Sequence, residues 1–74
     1  MNEKSLKRLG FLKLNNYMGS EYRLSIQGTP IVIIILGLSS VLIYNKETEV
    51  VIGDLALDNA LQVYNLINFI KESF

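Results

Sequence analysis

The 74-residue chain carries no Cys and no His, is half hydrophobic, and balances seven basic against seven acidic side chains. Disulfide staples, thiolate nucleophiles, histidine bases and Cys- or His-ligated zinc are thereby excluded, and residues 1–74 are expected to form one α+β domain near the lower size limit for a self-sufficient core. The charge is uneven: residues 1–27 hold five basic and two acidic side chains, residues 28–74 two basic and five acidic.

Residues 2–9 predict a short helix, with Asn2 as N-cap, Leu6 and Leu9 on one side and Gly10 as the stop. Phe11 to Leu14 reads as a strand, and 15–20 as a loop of turn formers. Tyr22, Leu24 and Ile26 then alternate with Arg23, Ser25 and Gln27, the period of two of a strand with one wet face. Pro30 suits a strand start, where no ladder donor is needed. Ile31 to Leu36 is continuously apolar and mostly β-branched, which favours a central strand. A turn at 37–40, a strand at Val41 to Tyr44, a polar hairpin loop at 45–48 and a last strand at Glu49 to Ile52 complete the series. Links this short dictate antiparallel pairing of four or five strands in a meander.

After Gly53 and Asp54, a helix is predicted from Leu57 or Asp58 to Lys71 or Glu72. Asp58, Gln62, Asn65, Asn68 and Glu72 form its polar stripe, and Asp58 and Lys71 complement its dipole. The apolar arc around the rest is wider than one contact with a sheet requires. The fold class is therefore α+β: an antiparallel β-meander with a short N-terminal helix and a long C-terminal helix packed on one face.

One helix covers one face of a sheet, yet the strands at 31–36 and 41–44 are apolar on both. A second copy, a partner or lipid must cover the other face. The run 30–44 is short for a membrane span and is interrupted by Gly37, Ser39 and Ser40, so two strands are expected there and membrane insertion is not favoured. The polar, charged opening residues predict no secretory signal and a cytoplasmic protein. The expected function is a non-enzymatic interaction module that self-associates as a homodimer. Its interface would use Ile31, Ile33, Ile35, Val41 and Ile43 or their alternates Val32, Ile34, Leu36, Leu42 and Tyr44, with Phe69 on the spare helix arc. Tyr17 and Met18 in a loop, and Glu47 and Glu49 in the acidic hairpin, are candidate contacts for a larger protein target.

Two other readings stand beside it. Lys4, Lys7, Arg8, Lys13 and Arg23, with Tyr17 and Tyr22 near them in sequence, have the residue types for phosphate contact and base stacking, although the neutral overall charge weakens nucleic-acid binding. A pocket at a dimer seam would make the protein a small-ligand-binding oligomer. No catalytic residues, metal ligands or cofactor are expected: Asp54 and Asp58 read as helix-start carboxylates, the glycines are isolated turn residues, and no base stands ready to activate Ser39 or Ser40.

Leu6-Lys7-Arg8-Leu9-Gly10-Phe11 leading into a strand, the meander, and the closing helix around Leu61-Gln62-Val63-Tyr64-Asn65-Leu66-Ile67 resemble the small proteins carried by phages and prophages of low-GC Gram-positive bacteria. The resemblance covers the whole chain in style and size and assigns no functional residue. It implies action by binding, including inhibition of a host defence protein in the host cytoplasm.

Overall fold

The computed structural model describes residues 1–16, 19–38 and 40–74, with the backbone alone at Asn16. Its elements run α1 (Glu3–Arg8), β1 (Leu12–Asn16), β2 (Gly19–Ser25), β3 (Ile31–Leu36), β4 (Ser40–Asn45), β5 (Val50–Ala56) and α2 (Ala60–Ser73). The five strands form one antiparallel sheet in the order β1-β2-β3-β4-β5, the meander that the short links predict.

α1 is held at both ends. The Asn2 Oδ1 accepts from the Ser5 amide at 2.8 Å, which satisfies one of the helix's orphan donors. At the other end Gly10, with φ +102°, turns the chain so that the Gly10 amide reaches the Lys7 carbonyl and the Phe11 amide the Leu6 carbonyl. This is a Schellman stop, and the buried side chains of Leu6 and Phe11 supply its hydrophobic contact.

The register sorts the paired strand residues onto two faces. Tyr22 pairs with Ile35 and Leu24 with Ile33, and across β3 Ile33 pairs with Ile43 and Ile35 with Val41. These side chains meet Leu6, Phe11, Val63, Ile67 and Ile70 in one continuous core, so both helices lie on the same face. Side chains one residue out of step, Arg23, Ile34 and Leu42 among them, point to the opposite, outer face.

Several boundaries differ from the sequence prediction. β1 and β2 run into the predicted 15–20 loop and leave only Tyr17 and Met18 between Asn16 and Gly19, which pair. β5 continues through Gly53 and Asp54 to Ala56, where a turn and the helix start were predicted. A bulge between Ile43 and Tyr44 lets Gly53 sit opposite Ile43, and a Cβ on Gly53 would lie 3.2 Å from Ile43 Cδ1. The glycine makes room for an isoleucine within a strand instead of marking a turn. α2 consequently starts later, capped by Asn59: its Oδ1 accepts from the Gln62 amide while Gln62 Oε1 accepts from the Asn59 and Asp58 amides.

Residues 31–36 and 40–45, the region weighed as a membrane span, are β3 and β4. Among the described residues no helix is long and apolar enough to cross a membrane.

Candidate interaction surface

The outer face of the sheet is largely apolar, and no second layer covers it among the described residues. Three rows of side chains cross it. The middle row is Leu12–Arg23–Ile34–Leu42–Asp54, read directly from successive strand pairings. On one side of it lie Leu14, Glu21, Leu36, Ser40 and Ala56, and on the other Ser25, Val32, Tyr44 and Val51. Leu12 is 71% exposed, Val51 50% and Leu36 38%; Ile34, Leu42 and Tyr44 are half-buried by their neighbours in the sheet. Among the described residues of the outer face, Val32 alone is buried.

This arrangement settles which set of β3 and β4 residues faces inward and corrects the first interface assignment. Ile31, Ile33, Ile35 and Val41 are at most 1% exposed, packed under α2 and α1, and have no surface left for a partner. Ile43 is half-buried on the same inner side. The alternates Val32, Ile34, Leu36, Leu42 and Tyr44 are the uncovered set. Phe69, also assigned to the interface, is 68% exposed on α2.

The surplus apolar arc of α2 takes a definite form. Val63, Ile67 and Ile70 are buried, whereas Leu61, Tyr64 and Phe69 join Gln62 and Asn65 in solvent, and Asn68 of the predicted polar stripe is half-buried. Ile43, Ile52, Leu66, Phe69, Ile70 and Phe74 line an apolar groove between α2 and the free edge of β5.

The basic residues do not converge. Lys4, Lys7 and Arg8 are exposed on α1. Lys13 projects from the inner face of β1, and its ammonium lies 2.8 Å from the Glu3 carboxylate, which Lys7 also approaches at 3.8 Å. Arg23 is on the outer face, where its Nε donates to Glu21 two residues away on the same strand. The five cations proposed for nucleic acid are thus split between opposite sides of the sheet, and three of them, Lys7, Lys13 and Arg23, are engaged with carboxylates. The Lys13 ammonium beside it is the main reason that Glu3 is held below the usual carboxylate range, and the same contact raises Lys13 above the ordinary lysine value.

Glu47 and Glu49 are exposed in the β4–β5 hairpin loop. Its geometry is set by Asn45, whose Oδ1 accepts from the Glu47 and Thr48 amides, and by Glu49, whose φ of +60° closes the turn. Tyr17 and Met18 lie outside the described residues. Asp54 is on the outer sheet face and not at a helix start, and Asp58 precedes the Asn59 cap. Among the described residues no group of three or more acidic side chains stands close enough to hold a metal ion.

The candidate surface is therefore a largely apolar sheet face bearing the Arg23–Glu21 ion pair near one edge and Asp54 near the other. Comparison with known proteins finds no family model, curated protein or solved structure that matches the chain.

Proposed function

We propose that the protein is a non-enzymatic binding module that works as a homodimer, closed through the outer face of its sheet. The observation that carries this reading is the uncovered apolar set Leu12, Leu14, Ile34, Leu36, Leu42, Tyr44 and Val51 on a face that neither helix reaches. Each 100 Å² of apolar surface that a second copy covers is worth about 2.5 kcal/mol before the costs of association. Left wet, the same face would invite aggregation. Two sheets stacked in this way sit about 10 Å apart and give a four-layer α/β/β/α assembly.

Light scattering on the purified protein across a dilution series tests the reading. Twice the 8.4 kDa chain mass is expected, and Leu42→Asp should return the particle to chain mass without loss of far-UV circular dichroism. A wild-type mass of one chain at every concentration would refute it.

The resemblance to small phage proteins favours a further role for this dimer, binding a larger host protein and blocking it without chemistry. Glu47 and Glu49 remain free of the proposed dimer face for such contact. Reversing both charges should then abolish inhibition of the target, and unchanged inhibition would remove the acidic hairpin from the account.

A further inference from the structure

We infer that the dimer's two-fold axis runs parallel to the strands between β3 and β4, so that Arg23 of each subunit meets Asp54 of the other; this rests on the proposal that the outer face joins two copies.

The middle row across that face decides the register. Its four central members are Arg23, Ile34, Leu42 and Asp54, one from each of β2 to β5. At about 4.8 Å per strand, the two charges stand roughly 14 Å apart with two aliphatic side chains between them. An axis along the strands that passes midway between Ile34 and Leu42 turns this row end for end. The positive end then covers the partner's negative end, and Ile34 covers the partner's Leu42. On the neighbouring row the same operation lays Val32 against the partner's Tyr44. The row reads the same from either subunit, which is the self-complementarity that an isologous interface demands.

The Arg23 side chain is already prepared for this contact. Its Nε is engaged by Glu21 of its own strand, and among the described residues its two terminal nitrogens form no hydrogen bond or salt bridge, so they can present a fork. Asp54 is exposed and forms no salt bridge among the described residues.

The alternative two-fold, centred on β3, overlaps all five strands but places Asp54 over the partner's Leu12 and Arg23 over the partner's Leu42. It would set each Asp54 carboxylate against an aliphatic side chain with no cation to answer it, whereas the off-centre register gives that carboxylate a guanidinium. The charges thus select the off-centre register, with Leu12 and Leu14 left at the rim.

A charge swap measured by sedimentation equilibrium tests this on the full chain. R23D and D54R, each present twice in the dimer and each setting like charges against one another, are expected to weaken dimerisation at least about tenfold, in line with the coupling of close interfacial charge pairs. The double variant R23D/D54R restores the pairing with the signs exchanged and should dimerise within about threefold of wild type. Circular dichroism and melting separate dissociation from misfolding; should R23D fail to fold, R23Q and D54N run through the same cycle should show a double loss smaller than the product of the single losses. If the double variant is as weak as that product while Leu42→Asp still dissociates the wild-type dimer, the sheet-face reading holds and this register is wrong. A wild-type chain that never dimerises refutes both.

Discussion

Ile33 and Ile34 are consecutive, identical in chemistry and paired in the same strand, yet they belong to two surfaces with different fates. Ile33 is fully buried beneath the helices, while Ile34 lies half-exposed at the centre of a face that has no second layer. The inner face is completed within the chain: α2 lies across it, α1 closes one corner, and Glu3 of α1 is tied to Lys13 of β1. The outer face carries apolar side chains around Arg23, Glu21 and Asp54, and among the described residues no element lies on them. A strand that reads as apolar at every position marks a sheet whose two faces must both be covered, and a chain with helices on one side supplies only half of that cover.

Substitutions at adjacent positions separate the two faces. Ile33→Ala should cost about 2–5 kcal/mol in chemical denaturation, a large part of the roughly 4–11 kcal/mol expected for a domain of this size. Ile34→Ala should cost far less in the separated subunit and act mainly on dimerisation; equal losses at the two sites in dilute protein would mean that the outer face is covered from within. Helix capping sharpens the same contrast. Asn59→Ala removes half of the capping box that starts the inner-face layer, and should lower stability by about 1 kcal/mol while leaving the proposed subunit interface untouched.

The smallest effect concerns the corner at Glu3. Its carboxyl binds a proton less readily folded than unfolded, so its contribution is complete above the ordinary value of 4.5 and is lost as pH falls through the lower folded value. Lys13 has the opposite sign: its contribution is complete below 10.5 and is lost as pH rises through the raised folded value. Melting temperature followed against pH should show a shallower acid limb for Glu3→Gln than for wild type. An identical limb would mean that other carboxylates govern acid unfolding.

Much of the fold was legible because local rules and burial agreed. Ile31 to Leu36 starts and ends where its apolar run does, since Pro30 and Gly37 bracket it. The Asn2 cap and the Gly10 stop follow from side-chain chemistry alone. Gly53 and Asp54 misled the reading of β5 because a glycine that makes room for Ile43 looks the same in sequence as one that makes a turn. The Asn59–Gln62 spacing is a capping-box signature and marks the true start of α2. The choice of face was not legible: Ile31, Ile33 and Ile35 differ too little from Val32, Ile34 and Leu36 in size or polarity for composition to select between them. Likewise Lys13 and Arg23 look like parts of one basic region until the pairing of Lys13 with Tyr22 and of Leu12 with Arg23 sends them to opposite sides.

Because the chain has no cysteine, one introduced thiol is the only one present, and its labelling rate reports directly on whether the outer face is covered by another copy. The decisive measurement is the alkylation rate of Leu42→Cys over a wide range of protein concentration, with Thr48→Cys in the hairpin loop as the open reference. If two copies meet on this face, labelling at position 42 slows as concentration rises and position 48 does not change. Labelling at position 42 that keeps the same rate at every concentration would contradict the central claim that a second copy completes the sheet.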